Sequence, residues 1–419
     1  MSSERRLSYR LAFFGLLVPI IGPHVGRVLG ISDLVTSVTR PATSLTAQVK
    51  AFDGAQNTRA SQVVRATAVP QAAVSIGADN VLVVYNSNST ESMQVRDYYL
   101  ANRPGFANVN TLGVSTDDAE VVDQKQFLSN IRSPIVDWIT SHPSQPIYYI
   151  VLLRGISDRT YTATGASVDY QISTALSDLG IRTGAIYGGG TGVAYTPSKY
   201  PGTTALVTHL NMGSLEATLA YIDKLKAMHK AMRTPNVIIS GKASGRSGDH
   251  YCLDGSSAFS GFEFVIGSDY EALVSLGVAS SRITYTTSLP HITTCSNVAG
   301  YETWGANGGL GGDYAKSGLI KFRGHSNWFL IKTIESFNGQ WTTSQGNFVN
   351  WFSAKALGGT NYSNTPVGAT TNVEEPTTAG LAGLSYLADW EKGMLFAEAA
   401  WDSRRTTFFM AVGDPLVTR

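Results

Sequence analysis

Val81-Leu82-Val83-Val84-Tyr85 is the stretch that decides the fold class of this chain. A short continuous apolar run is typical of a strand that is buried on both faces of a parallel sheet. Ser89 or Thr90 follows as a candidate helix cap, and Val95, Tyr98 and Tyr99 then fall on one helical face. The stretch therefore predicts one strand followed by one helix that packs against it.

The same alternation recurs along the chain. Further strands are predicted at residues 147–153, 237–239, 319–322, 367–373 and 408–412. Helices are predicted at residues 127–139, which Pro134 should kink or split, at 215–228 after Ser214, and from Phe348 to a stop at Gly358-Gly359. Strands that alternate with helices imply an α/β fold, a mainly parallel sheet with helices on both faces in three layers.

The amino-terminal part of the chain has a different pattern. Arg5, Arg6 and Arg10 precede an apolar run over 11–22, which is typical of a secretory signal and too short to span a bilayer. We predict a signal-peptide-like segment at 1–30, a polar linker or arm at 31–78, and one large α/β domain at 79–419. The protein is then expected to be exported, to the periplasm, the cell surface or the medium. A disordered or membrane-touching tail is the alternative interpretation.

Composition excludes some classes of partner and cofactor. The formal charge is +1 and only 15% of the residues are charged, so nucleic acid is not an expected partner. The chain has no G-x-x-x-x-G-K-[ST] motif, and no G-x-G-x-x-G follows the first strand, so no nucleotide cofactor is expected. The two cysteines, Cys252 and Cys295, do not have zinc-type spacing, and no metal site is expected. They are either a disulfide or two unpaired thiols. Partners and oligomeric state are not indicated.

Polar residues follow the predicted strands. Because ligands bind outside the carboxyl ends of parallel strands, these residues are the candidate site. The predicted catalytic residues are His325, Glu375 and Asp414, and the predicted binding residues are Asn86, Arg154 and Glu374. Each also has a structural interpretation: a loop hydrogen bond for His325, turns for the carboxylates and an ion pair for Arg154.

Several segments resemble an exported bacterial family of unknown function. The segments that carry the resemblance are Tyr85-Asn86-Ser87-Asn88-Ser89, Gly300-Tyr301-Glu302-Thr303-Trp304-Gly305-Ala306-Asn307, Glu375-Pro376, Ala397-Glu398-Ala399 and Val412-Gly413-Asp414-Pro415-Leu416. Together these segments extend the resemblance from about Val81 to Leu416. The chain departs from the family at Thr208-His209-Leu210-Asn211, where the family has Thr-Arg-Leu-Asp, so a site that used the Arg and the Asp is changed here. The family implies no activity.

A weaker resemblance is to the caspase–gingipain fold of cysteine peptidases. Gly324-His325-Ser326 is similar to the segment that carries the catalytic His, and Gly413-Asp414-Pro415 to the carboxyl-terminal strand. Those peptidases place the His segment after one strand and the Cys at the end of the next. No Cys follows His325 in this chain, so the resemblance does not extend to the nucleophile. Cys252 also follows Asp249-His250-Tyr251, but neighbouring residues of a strand point to opposite sides.

Three functions compete on this evidence. The favoured one is a non-catalytic or degenerate relative of caspase–gingipain-like peptidases that acts as a binding or structural module. The alternative is a hydrolase that uses His325 with Glu374, Glu375 or Asp414, with or without a bound metal. A component of a surface assembly is the third, and only the uncharged polar composition favours it.

Overall fold

The computed structural model describes residues 76–161, 166–180, 204–232, 237–241, 249–256, 264–376 and 385–419. The predicted signal-like segment and all but the last three residues of the predicted arm lie outside the described residues. Within the described part, no helix combines the length and the apolar character that a membrane span needs.

A ten-stranded sheet organises the chain, in the order β2-β1-β4-β6-β15-β14-β13-β11-β8-β9. The described strands are β1 Val81–Asn86, β2 Asn110–Val114, β3 Val121–Asp123, β4 Tyr149–Leu153, β5 Arg159–Tyr161, β6 Leu206–Leu210, β7 Ile239–Ser240, β8 His250–Asp254, β9 Ile283–Thr286, β10 Thr294–Ser296, β11 Val298–Thr303, β12 Lys321–Arg323, β13 Leu330–Thr333, β14 Gly368–Asn372, β15 Phe409–Gly413 and β16 Val417–Thr418. Three two-stranded sheets, β10-β12, β16-β7 and β3-β5, lie beside it.

Parallel pairing dominates the main sheet. Neighbours pair in parallel within β2-β1-β4-β6 and within β14-β13-β11-β8-β9. Between these groups, β15 is antiparallel to β14 and is joined to β6 at the single pair Val412 and His209. Every residue of β4, β6, β14 and β15 is buried. Since successive side chains point to opposite faces, both faces of the sheet are covered there. The predicted α/β fold with a mainly parallel sheet is confirmed.

The helices begin where the sequence supplies caps. Their bounds are α1 Thr90–Asn102, α2 Gln124–Gln126, α3 Ser133–Ser141, α4 Val168–Ser173, α5 Ala175–Asp178, α6 Leu215–Met232, α7 Phe264–Ser275, α8 Phe348–Trp351, α9 Tyr386–Lys392 and α10 Phe396–Asp402. Ser89 Oγ accepts a hydrogen bond from the Ser92 N–H, and Ser214 Oγ accepts one from the Ala217 N–H, so both predicted caps are formed. A π-helical turn at Phe127–Arg132 precedes α3, which has Pro134 in its first turn; the helix is therefore interrupted as predicted.

Two predicted strands do not belong to the main sheet. The segment predicted at 319–322 is β12, which pairs with β10, and only Ile239 and Ser240 of the segment after α6 form a strand, β7, which pairs with β16. The main sheet also contains six strands that the apolar pattern did not single out, which are β2, β6, β8, β9, β11 and β13. This difference decides where His325 lies.

Candidate functional site

Asn86 follows β1 and fastens the neighbouring loops. Its side-chain Nδ2 donates to the carbonyl oxygens of Thr116 and Gly155, each at 2.9 Å, and its Oδ1 accepts from the Asn88 N–H at 3.0 Å. The side chain is completely buried. Its amide is therefore used within the fold, which is the role expected of a buried polar group.

Arg154 follows β4 and forms an ion pair. Its Nε donates to Glu91 Oε2 at 2.6 Å, and its Nη1 donates to Asn211 Oδ1 at 3.1 Å. Asn211 follows β6, so Arg154 connects the ends of two adjacent strands to the first turn of α1. The guanidinium remains partly exposed, at 17%.

Glu374 and Glu375 follow β14 and each contact a different segment. Arg159 Nη1 donates to Glu374 Oε1 at 2.8 Å, and Ser336 Oγ donates to Glu375 Oε2 at 2.5 Å. Arg159 belongs to the segment after β4, and Ser336 comes after β13. The two carboxylates therefore connect segments that follow β4, β13 and β14.

Asp414 lies at the other end of β14. Gly413 pairs with Gly368, the first residue of β14, because β15 runs antiparallel to it. Asp414 is completely buried, and its carboxylate accepts from Arg103 Nε at 2.6 Å and from the Tyr99 hydroxyl at 2.6 Å. The antiparallel direction of β15 thus separates Asp414 from Glu374 and Glu375.

His325 also lies away from Glu374 and Glu375. Its main-chain N–H donates to Asn297 Oδ1, and Asn297 directly precedes β11, so His325 sits at the amino end of that strand. The carboxylates Glu374 and Glu375 follow the carboxyl end of β14, in the same parallel group. The predicted convergence of His325 with these carboxylates is not formed, because the strand before His325 is outside the main sheet.

An exposed groove contains His325. It has a volume of about 720 Å³ and lies between α6 and the segments that carry His325 and Tyr362. Glu216, Asp223 and Lys224 of α6 line it. The Lys224 ammonium donates to the carbonyl oxygens of Thr365 and Pro366, and Asp223 accepts from the Tyr98 hydroxyl.

A His–Asp pair that sequence reasoning missed lies at the carboxyl end of β8. His291 Nδ1 is 3.0 Å from Asp254 Oδ2, and the Asp254 side chain is completely buried while that of His291 is 13% exposed. A buried carboxylate that holds one imidazole nitrogen orients the other. The signal that could have found it is the apolar strand Tyr251-Cys252-Leu253 that ends in Asp254.

The ends of the adjacent strands β11 and β13 hold neither His nor Cys. Trp304-Gly305 follows β11, and Ile334-Glu335-Ser336 follows β13. Glu335 is buried and accepts from the main-chain N–H groups of Ala306 and Gly346, both at 2.8 Å. Burial raises the pKa of Glu335 to about 7, although these hydrogen bonds oppose the shift. Both cysteines are used elsewhere, since Cys252 of β8 is bonded to Cys295 of β10.

A second His lies between two carboxylates inside the domain. His209 Nε2 is 2.7 Å from Asp169 Oδ1, and His209 Nδ1 is 3.3 Å from Asp158 Oδ1. All three side chains are at most 1% exposed. Burial raises the pKa of Asp158 to about 7, whereas the pKa of His209 is lowered by burial and raised overall by Asp169 and Asp158.

Comparison with known proteins gives weak likenesses. No protein-family model and no curated protein matches the chain. A solved structure titled "Structure of Protease" is similar over 81% of this chain and 78% of its own, with 12% identity and a TM-score of 0.46. The crystal structure of the Arg-specific cysteine proteinase gingipain R is similar over 82% and 79%, with 11% identity and a TM-score of 0.47. Likenesses of this size concern the path of the chain and carry no information on activity.

Proposed function

We propose that this protein is an exported, non-catalytic relative of caspase–gingipain-like peptidases that acts as a binding or structural module. The observation that carries the proposal is which residues follow the adjacent strands β11 and β13. A peptidase of that kind places its His segment after one strand and its Cys at the end of the next. In this chain no Cys follows His325, and the adjacent parallel strands β11 and β13 are followed by Trp304-Gly305 and Ile334-Glu335-Ser336.

The chemistry of these residues supports the proposal. A Cys–His pair needs a thiolate within hydrogen-bond reach of an imidazole, and the Cys252–Cys295 disulfide leaves no thiol. Glu335 is held by two main-chain N–H groups and by the Tyr314 hydroxyl at 3.2 Å, so it fastens the loops after β11 and β13. These contacts are those of a fold-supporting residue.

The disulfide also supports the export that the amino-terminal sequence predicts. Disulfides persist in oxidising compartments and are rare in the cytosol. Export is tested by fractionating cells that produce the full chain and asking whether the protein leaves the cytoplasm; retention in the cytoplasm contradicts it.

The absence of catalysis is tested with the full chain and a panel of peptide and ester substrates. We expect no turnover above the uncatalysed rate, with or without a thiol reductant. Turnover that depends on reductant and is lost in Cys252→Ser would contradict the proposal, because it would reveal a cysteine nucleophile.

Hydrolysis without cysteine is the second candidate function, and the Asp254–His291 pair favours it. The buried carboxylate holds Nδ1, and an imidazole oriented in this way can act as a general base through its other nitrogen. In this second candidate function, His291 takes the catalytic role that the sequence predicted for His325. Any ester or peptide turnover that survives in His325→Ala and disappears in His291→Ala would favour it over the non-catalytic module.

A further inference from the structure

The Asp158–His209–Asp169 cluster has an unbalanced charge. With all three groups ionised, two carboxylates surround one imidazolium, and the cluster carries one net negative charge inside the domain. Among the charged groups of the neighbouring segments, Glu120 raises the pKa of Asp158, and Arg159, Glu374 and Arg404 are engaged by other partners. Arg159 is held by Glu120 at 3.4 Å and by Glu374 at 2.8 Å, and the Arg404 guanidinium lies over the Tyr170 ring.

Trp341 closes the cluster on its outer side. The indole Nε1 donates to Asp158 Oδ2 at 2.6 Å, and the Trp341 main-chain N–H donates to Glu120 Oε2 at 3.3 Å. Trp341 is half-buried, whereas Asp158 is 1% exposed. Displacement of the indole would therefore give water access to the Asp158 carboxylate.

We propose that Trp341 is a pH-dependent cover, closed over Asp158 when the cluster holds an additional proton and displaced when that proton leaves. A buried carboxylate is costly when it is ionised without a full counter-charge, and water relieves that cost. Trp341 belongs to the segment after β13, which also carries Glu335 and Ser336. The protonation of an internal cluster would thus control the position of a segment at the candidate site, whether or not the protein is catalytic.

The sign of the pH dependence follows from the proton counts. Asp158 has a pKa of about 7 when covered and an ordinary value near 3.8 when solvated, so the closed form binds more protons. The covered His209 also has a raised pKa, which acts in the same direction. The Trp341 hydrogen bond favours the ionised carboxylate and opposes the effect of burial, but burial is the larger influence. The preference for the closed form is therefore fully present below about pH 3.8, and it decreases as the pH rises through about 7.

The experiment uses the full chain labelled with 5-fluorotryptophan. The Trp341 resonance is assigned from its loss in Trp341→Phe, and its exposure is measured as broadening by a soluble gadolinium chelate between pH 4 and pH 9. We expect the exposure to rise with pH, with a change in the closed-to-displaced ratio of up to about 300-fold between pH 4 and pH 7, since each unit of pKa difference is tenfold and the covered carboxyl is half protonated at pH 7.

Two variants make the test specific. Asp158→Asn keeps an acceptor for the indole but cannot ionise, so its Trp341 exposure should stay low up to the pH at which His209 loses its proton. Glu398→Gln is the matched control, because burial also raises the pKa of Glu398 to about 7, but its carboxylate bonds Tyr149 and the Leu395 N–H instead of Trp341. It should behave as the wild type.

Three results would overturn the proposal: a Trp341 exposure that does not change with pH, the wild-type dependence retained in Asp158→Asn, or the dependence lost equally in Glu398→Gln. If Asp158→Asn does not fold, the pH dependence of Trp341 exposure in the wild type alone tests the proposal. A failure here leaves the proposed non-catalytic function untouched, because that is tested by turnover and not by Trp341.

Discussion

Arg103 Nε donates to Asp414 Oδ2 at 2.6 Å, and both side chains are completely buried although the residues are 311 positions apart in the chain. The second arm of the guanidinium, Nη2, donates to Asp414 Oδ1 at 3.1 Å. The Tyr99 hydroxyl donates to the same carboxylate. This pair connects the end of α1 to the end of β15, and its role is structural.

Asp414→Ala should destabilise the protein by about 3–5 kcal/mol, because it leaves the Arg103 guanidinium buried without its partner. The free energy of unfolding is measured by urea denaturation. The double variant Arg103→Met with Asp414→Leu should be less destabilised than the single one, since it removes both charges.

The matched control for this prediction is the more exposed pair of Arg132 and Asp178. Their atoms are 3.1 Å apart, and the Asp178 side chain is 55% exposed. Asp178→Ala should cost less than about 1 kcal/mol. Equal losses in Asp414→Ala and Asp178→Ala would show that the burial of the Arg103–Asp414 pair has no energetic consequence.

Gly305→Ala should destabilise the turn after β11. Gly305 has φ +55°, and a Cβ at this position would overlap the Glu335 carboxylate. We expect a loss of about 3 kcal/mol, because both backbone strain and displacement of a buried carboxylate contribute. Gly180→Ala is the control: Gly180 has φ +68°, a Cβ added there would have no atom within 4 Å, and the variant should lose only about 1 kcal/mol. Thermal unfolding of the two variants measures the difference, and a smaller loss in Gly305→Ala than in Gly180→Ala contradicts the overlap.

The contribution of Glu335 to stability should depend on pH. Its pKa is about 7 in the folded protein and 4.5 in its ordinary state, so the folded protein binds the additional proton. The contribution is fully present below about pH 4.5 and is lost as the pH rises to about 7, for a total of about 3 kcal/mol. Denaturation of the wild type and Glu335→Gln at pH 4.5, 6 and 8 measures it. The difference between the two proteins should change with pH, and a constant difference would disprove the assignment.

Reduction of the Cys252–Cys295 disulfide should lower the free energy of unfolding by about 3–4 kcal/mol. The bond closes a loop between residues 43 positions apart, and opening it gives the unfolded chain more freedom. Urea denaturation with and without reductant measures this loss. The double variant Cys252→Ala with Cys295→Ala serves as the control, because reductant should have no effect on it.

The sequence by itself determined the local elements. The apolar runs of β1, β4, β14 and β15 predict strands buried on both faces, and Ser89 and Ser214 cap the helices that follow β1 and β6. These features depend on side chains within a few residues of one another, and such patterns are visible in one dimension.

Only the tertiary structure decided the site. The apolar pattern did not predict β11 and β13 because each strand carries a charged residue, Glu302 in β11 and Lys332 in β13. The two residues are paired in register, and Glu302 Oε1 lies 2.8 Å from Lys332 Nζ. Lys332 Nζ is also 3.1 Å from Asp269 Oδ2 of α7, and all three side chains are buried. A buried charge is tolerated only beside its partner, and that partner comes from another element. The sequence predicted that His325 lies beside Glu374 and Glu375, whereas in the sheet Trp304 follows β11, Glu335 follows β13, and the Asp254–His291 pair lies at the end of β8.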